Sequence, residues 1–263
     1  MKIISPLFLF VILFTLHMPK VDALTTNSCR TSLAGEPVIN MHTDTTDGYS
    51  FTPLETTEPL SKISFSFKAG CGWRTAKISS SLSGAEKELV KGVKSGTAWE
   101  ASLDYYITND WGFGLYYSGF GASKSINGHI EFNDGRPPKN GTLKMADMIS
   151  FVGPSVSGRS AISDKWILSG SISLGYLHYL SKLSVSDYEA KITGSTGGYA
   201  AMMDIEYLLN KTWGLTFGFS SLSGVLLKMK VDDGTRQETI KLDEHNKESL
   251  AQTRLSLGLR FHF

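Results

Sequence analysis

Apolar and polar residues alternate in segments of about ten along the chain from residue 61 to the C-terminus. Strict alternation of this kind predicts β-strands with one apolar and one polar face. The last segment shows the pattern most clearly, because every second residue is apolar and the residues between are Arg, Ser, Gly or His. Its apolar positions are Leu255, Leu257, Leu259, Phe261 and Phe263.

Eight segments follow this pattern and predict eight strands. The clearest of the other seven are Ile63–Trp73, Trp99–Ile107, Trp111–Tyr117, Trp166–Tyr176, Tyr199–Tyr207 and Trp213–Phe219. The fourth, Met148–Arg159, is ambiguous and contains Pro154. Because proline cannot donate a ladder hydrogen bond, we expect a bulge or local irregularity there.

Short and long connections alternate between the predicted strands. Three short polar turns are each followed directly by a tryptophan, namely Trp111, Trp166 and Trp213. Tryptophan favours the membrane–water interface, so we expect these three side chains to form half of an aromatic girdle. The long connections are predicted at Lys77–Gly96, Lys124–Ala146, Ser181–Gly197 and Val231–Ser249.

Together these features predict an all-β fold, a closed antiparallel up-and-down transmembrane β-barrel of about eight strands. Short turns would lie in the periplasm, long loops outside the cell, and the apolar face against lipid. The alternative is a soluble barrel with its apolar side inward. The sequence favours the membrane arrangement, because the polar face places its charges among Gly and Ser while bulky aromatic residues occupy the other face.

The N-terminal residues 1–23 have the features of a cleaved secretory signal peptide. Lys2 precedes the apolar run Ile3–Leu16, and Val21-Asp22-Ala23 ends in a small residue that suits signal peptidase. A membrane anchor helix is the rival interpretation, but fourteen apolar residues fall short of the roughly 20 that span a bilayer. Residues 24–60 show no strand or helix period and are predicted to form a periplasmic tether, leaving 61–263 as the barrel.

Charged residues on the polar faces form the main candidate cluster inside the barrel. They comprise four cations and four anions, which are Lys68, Arg74, Glu100, Asp104, Asp204, Glu206, Arg254 and Arg260. Because buried charges need partners, the balance predicts an ion-pair network, with a proton or ion path as the alternative. The net charge of +1 indicates no nucleic-acid partner.

The cysteines allow three interpretations. Cys29 and Cys71 could form a disulfide in an oxidising compartment, or Cys29 could carry a lipid, although Thr26-Asn27-Ser28 suits lipidation poorly. Cys71 falls on the apolar face of the first predicted strand. We therefore expect two free thiols.

Candidate catalytic and metal-binding residues are few. His178, Ser181 and Glu189 could form a Ser-His-acid set, but strand residues three apart point to opposite faces. The acidic loop containing Asp232-Asp233-Gly234 is more simply a hairpin turn than a calcium site. The sequence therefore predicts no enzyme, no cofactor and no metal. Separately, the helical spacing of Ala85, Leu89, Val90 and Val93 predicts a short helix at the mouth of the barrel.

Three segments, Leu103–Phe120, Glu206–Phe219 and Leu255–Phe263, resemble the small OmpA/OmpX-type outer-membrane β-barrels of Gram-negative bacteria. The resemblance covers about residues 61–263 and implies outer-membrane location, with contact to outer-membrane lipid and lipopolysaccharide. Phe263 resembles the terminal signal that the barrel-assembly machinery reads. The resemblance implies very little about activity, and our leading hypothesis is a non-enzymatic structural or surface-binding envelope protein that acts through its extracellular loops. The alternative functions are a narrow conduit for solutes or lipids and a lipid-modifying enzyme.

Overall fold

The computed structural model describes residues 60–76, 84–130, 139–185, 188–232, 234, 236–242 and 247–263. The predicted signal peptide, nearly all of the predicted tether and Cys29 lie outside these residues. The strands and the single helix of the described part are β1 Ile63–Arg74, α1 Gly84–Gly92, β2 Ser95–Tyr106, β3 Trp111–Ile130, β4 Lys139–Ser163, β5 Trp166–Val185, β6 Tyr188–Leu208, β7 Trp213–Leu226, β8 Lys228–Asp232, β9 Gln237–Lys241, β10 Glu248–Ser249 and β11 Gln252–His262.

Eight of the strands form a closed antiparallel ring. Strands β1 to β7 pair in sequence order, β7 also pairs with β11, and β11 pairs with β1 to close the barrel. The closing register runs from Ser64 opposite His262 to Arg74 opposite Gln252. The predicted fold, an eight-stranded up-and-down barrel, is therefore confirmed.

The apolar face predicted from the alternation is the outer face of the barrel. Phe67, Leu103, Leu115 and Phe217 are each more than half exposed, whereas their neighbours in the strands are largely buried in the interior. An exposed apolar surface that encircles a closed sheet is the arrangement expected in lipid, where every backbone group must be paired within the protein.

Two of the short turns are fixed by side chains that accept backbone hydrogen bonds. Thr108 Oγ1 accepts from the Trp111 backbone nitrogen at 3.0 Å, and Asn210 Oδ1 accepts from that of Trp213 at 2.8 Å. These local bonds explain the polar residues that precede Trp111 and Trp213. Trp111, Trp166 and Trp213 consequently begin β3, β5 and β7 at the same end of the barrel, and each is exposed.

Two of the predicted long loops are wrong, because most of their residues continue the strands. The described residues of the predicted loop Lys124–Ala146, which are 124–130 and 139–146, belong to β3 and β4. The described residues of the predicted loop Ser181–Gly197 likewise belong to β5 and β6. The sequence did not reveal this continuation because polar residues occupy both faces there. The alternation ends where the strands leave the apolar belt, which is the band of exposed apolar residues around the barrel. In addition, β6 pairs with β8 and β8 with β9.

The continued strands form a wall that rises above one side of the barrel. This extended wall consists of the parts of β3 to β6 that lie farthest from Trp111, Trp166 and Trp213, together with β8 and β9. The end of the barrel that carries the wall is called the upper end. On the opposite side β1 ends at Arg74 and β2 begins at Ser95, so the barrel is shorter there. The helix α1 lies between these two strands in the chain and packs against β3 and β4.

The irregularity predicted at Pro154 is present as a gap in the strand pairing and not as a bulge. Pairing of β4 with β5 is interrupted at Gly153 and Pro154, yet the register is the same on both sides of the gap. The Ser173 hydroxyl donates to the Pro154 carbonyl at 2.8 Å and bridges the interruption. The register shift between these strands lies instead between Ala161 and Ser163, next to the turn.

The helix predicted in the first long connection is present as α1. Its Leu89 and the following Val93 are buried. None of the helices in the described residues is long and apolar enough to cross a membrane.

Candidate functional site

The interior of the barrel holds an ion-pair network centred on Lys68. Its ammonium lies 2.5 Å from Asp204 Oδ1 and 3.3 Å from Glu100 Oε2. All three side chains are buried, and they come from β1, β6 and β2. The barrel wall therefore brings together residues that are far apart in the sequence.

A second cation extends the network towards the tryptophan-bearing end. Arg260 donates to Asp204 Oδ2 at 2.7 Å, to Glu206 Oε2 at 3.2 Å and to the Ser169 hydroxyl at 2.8 Å. Glu206 Oε1 lies 2.6 Å from His262 Nε2. Three strands, β5, β6 and β11, thus meet through one guanidinium and two carboxylates.

Glu100 is the most heavily coordinated carboxylate of the interior. It accepts hydrogen bonds from Tyr116 Oη at 2.9 Å and Ser256 Oγ at 3.0 Å, and also from the Ser220 hydroxyl. Arg254 Nη1 lies 3.7 Å away, which is an ion pair without a hydrogen bond. These contacts satisfy the charge of a carboxylate that has no contact with solvent.

Asp104 differs from the other predicted carboxylates. It is buried and accepts a hydrogen bond from Ser102 Oγ at 3.0 Å, but no cation of the described residues lies within 4 Å. It lines a small polar cavity with Lys68, Asp204 and Arg260. The cavity has room for about one water molecule.

Arg74 belongs to a separate cluster nearer the extended wall. Its guanidinium donates to Asp147 Oδ2 at 2.7 Å and to Glu248 Oε1 at 2.6 Å, and it lies over the ring of Tyr179. Both carboxylate partners were missed from the sequence. Asp147 follows a predicted loop directly and Glu248 falls inside another, where the alternation gave no signal for an inward position.

Arg159 is an interior cation that sequence reasoning also missed. It is buried, with its guanidinium carbon 3.6 Å from the centroid of the Tyr106 ring. It donates to the Asn109 carbonyl at 2.8 Å. Its position on the inward face of β4 could not be predicted, because the alternation in that segment is ambiguous and does not fix which residues point inward.

Apart from the Arg74 cluster, the upper half of the interior is apolar, which corrects the expectation of a polar lumen along the whole barrel. The core cluster comprises Val93, Tyr116, Phe120, Ala122, Ile149, Phe151, Leu177, Tyr179, Ala200, Met202, Leu222, Leu226 and Leu250. Most of these side chains project from the inward faces of the upper parts of β3 to β7. The alternation fades in this region because both faces carry apolar residues, so the sequence pattern could not reveal it.

The predicted candidates for enzyme chemistry do not meet. His178 is exposed on the outer face of β5, whereas Ser181 is fully buried. His178 Nδ1 lies instead 3.2 Å from Ser195 Oγ, which accepts a hydrogen bond from Tyr176 Oη at 2.6 Å. Within the described residues, no group of three or more His, Cys, Asp or Glu side chains could hold a metal.

The remaining predicted positions lie on the outer surface. Phe263 is exposed and its backbone nitrogen donates to the Ile63 carbonyl at 2.9 Å, which ties the C-terminus to β1. Cys71 is exposed on the apolar face, where the alternation placed it, and forms no disulfide with a described residue. Gly234 has a φ of 83°, as the hairpin-turn interpretation of that segment requires.

Comparison with solved structures finds similar barrels at low sequence identity. The chain is 10% identical to the outer membrane protease OmpT from Escherichia coli (TM-score 0.43), and the match covers 65% of this chain and 64% of the protease. It is 12% identical to OprG from Pseudomonas aeruginosa (TM-score 0.43; 78% and 97% covered). It is 10% identical to a major outer membrane protein from Thermus thermophilus (TM-score 0.47; 76% and 99% covered). No family model matches the chain, and no curated protein matches it.

The location of the protein follows from its own surface and interior. A closed ring of strands leaves no barrel edge unpaired, the encircling outer face is apolar, and most of the charges inside the barrel are buried in ion pairs. These properties together fit a lipid environment and no aqueous one. The protein is an eight-stranded, antiparallel up-and-down transmembrane β-barrel.

Proposed function

We propose that the protein is a non-enzymatic envelope barrel that acts at the cell surface through its extended wall, and that its lumen does not conduct. The observation that carries the proposal is the filling of the lumen. An eight-stranded barrel has space only for side chains or one small ligand, and here side chains occupy that space.

Two layers block the path through the barrel. Phe120, Ile149, Phe151 and Leu177 are almost completely buried in the upper layer. Below them the charged residues bind one another across the lumen, so a permeating ion would have to displace an ion pair from a site with little water. The helix α1 buries Leu89 at the mouth.

The extended wall supports action at the surface. It continues β3 to β6 well beyond the apolar belt and adds β8 and β9. Wall strands paired by backbone hydrogen bonds present side chains in a fixed arrangement, which lowers the entropic cost of binding compared with mobile loops.

Conductance in planar bilayers tests this proposal. The purified protein should produce no discrete current steps. The double variant Phe151→Ala, Leu177→Ala removes bulk from the upper layer and tests whether that layer contributes to closure, while Phe217→Ala removes an aromatic ring from the outer face as a control. Discrete openings of the wild-type protein would contradict the proposal.

A lipid-modifying enzyme remains the other candidate to test, because Ser195 and His178 approach each other on the outer surface. No carboxylate of the described residues orients this histidine, as a hydrolytic triad requires. We expect mass spectra of membrane lipids from cells with and without the protein to be identical. A new or missing acyl chain that depends on Ser195 would contradict a non-enzymatic role.

A further inference from the structure

The outer face of the extended wall carries an excess of lysines. Met145, Ile192 and Met229 pack against the apolar core, so the residues that alternate with them face away from the barrel axis. The register places further lysines on the same face, since Lys182 lies opposite Lys191 and Lys241 opposite Lys228. This lysine band consists of Lys144, Lys182, Lys191, Lys228, Lys230 and Lys241, and all six are exposed.

Few negative charges balance the lysine band. Glu189 and Asp232 are the carboxylates on the same face of the described wall, and Asp232 lies opposite Lys191 in the register. None of the six lysines forms an ion pair with a described residue. Like charges directly opposite each other on a sheet destabilise it. Two such pairs on one face therefore point to an anion that binds there.

The position of the band selects the kind of anion. It faces sideways, on the same surface that contacts lipid below, so the nearest anions are those of the surrounding membrane. Trp166 and Tyr176 are ten residues apart on the outer face of β5, which matches the 9 to 11 residues of a tilted strand that spans the hydrocarbon. Lys182 lies six residues beyond Tyr176, roughly 15 Å above it at the usual strand rise and tilt.

The headgroup layer of an ordinary phospholipid leaflet is only about 5–8 Å deep, which is too thin to reach most of this band. A glycolipid whose saccharide headgroup carries phosphates extends further from the hydrocarbon. We propose that the lysine band binds the phosphorylated saccharide headgroups of glycolipids in the outer leaflet. This inference rests on the proposed surface role and names its partner.

The test uses the full barrel in nanodiscs of zwitterionic phospholipid. A truncated lipopolysaccharide with a phosphorylated inner core is titrated, and binding is measured by native mass spectrometry. The quadruple variant Lys182→Gln, Lys191→Gln, Lys228→Gln, Lys241→Gln should bind at least about tenfold more weakly than the wild type, since each lysine near an anionic surface contributes to attraction. The same glycolipid without its phosphates should bind the wild type with a similar loss.

A control variant removes the same number of charges elsewhere. Lys62, Lys87, Lys91 and Lys165 are exposed, but they lie at the opposite rim, on α1 or in a short turn. Their exchange for Gln should change binding by less than about twofold. Urea unfolding in the absence of glycolipid reports on folding, and the band variant should be at least as stable as the wild type because two like-charge pairs are gone.

Three results would overturn the inference. The first is equal binding of the band variant and the wild type. The second is equal binding of phosphatidylglycerol, which would place the ligand in a thin headgroup layer. The third is tighter binding of soluble heparin than of the glycolipid, which would indicate a soluble polyanion as partner. Conductance tests the proposed function separately, so a closed lumen with unselective lipid binding would contradict only this inference.

Discussion

Lys68 and Asp204 are 136 residues apart in the chain, yet the Lys68 ammonium lies 2.5 Å from the Asp204 carboxylate inside the barrel. The two strands that carry them, β1 and β6, are not neighbours in the ring. The ion pair therefore crosses the lumen and ties opposite walls together. Arg260 on β11 binds the second oxygen of the same carboxylate.

Removal of this shared carboxylate should destabilise the barrel. In Asp204→Ala, Lys68 and Arg260 each lose a partner while they remain buried, and we expect the free energy of unfolding to fall by about 3 kcal/mol or more. Urea unfolding in lipid vesicles, followed by tryptophan fluorescence, measures the change. Asp164→Ala, in an exposed turn, should stay within about 0.5 kcal/mol of the wild type, and equal effects of the two variants would refute an energetic role for the network.

Gly218 provides the space in which this pair forms. A β-carbon at position 218 would lie 2.5 Å from Asp204 Oδ1 and 2.7 Å from Lys68 Nζ. Gly218→Ala should therefore push the two groups apart and cost about 1–3 kcal/mol in the same unfolding assay. At Gly158 the nearest atom to an added β-carbon is 3.8 Å away, so Gly158→Ala is the matched control. A stable Gly218→Ala barrel would mean that the pair has other room to form.

The sequence predicted the ring of strands because lipid imposes a strict period of two on both faces of the belt. The same alternation placed Lys68, Glu100, Asp204, Glu206, Arg254 and Arg260 inside, where the structure has them. Partners could not be predicted, since contacts across the lumen depend on the tilt and register of distant strands. The wall could not be predicted because, beyond the lipid-facing residues, neither face needs one fixed polarity. The apolar upper layer could not be predicted because both strand faces carry apolar residues there.

The C-terminal residue offers a test of assembly. Phe263 and Phe217 both expose an aromatic ring on the outer face, but only Phe263 directly follows β11 and bonds to the β1 backbone. We expect deletion of Phe263 to lower the yield of folded barrel in the outer membrane more than Phe217→Ala does. Heat-modifiable gel mobility of membrane fractions measures the yield. Similar yields would show that Phe263 is only another lipid anchor.

The tryptophans test how the barrel sits in the membrane. Trp111, Trp166 and Trp213 begin strands at one end, whereas Trp73 and Trp99 lie towards the other end of β1 and β2. In single-tryptophan variants, fluorescence quenching by brominated lipids should give one depth for the first three residues. Different depths within this group would disprove the predicted girdle.

The most direct test of the central claim compares outward and inward leucines of the unmodified protein. Leu255 and Leu257 are exposed on the outer face, whereas Leu177 and Leu222 are buried in the closed lumen. Methyl NMR spectra in nanodiscs are recorded with a nitroxide on the lipid chains and then with a water-soluble gadolinium chelate. The lipid nitroxide should broaden the outward methyl signals, and neither probe should strongly broaden the inward ones. Inward methyl signals broadened by the chelate would reveal a water-filled lumen and contradict the claim.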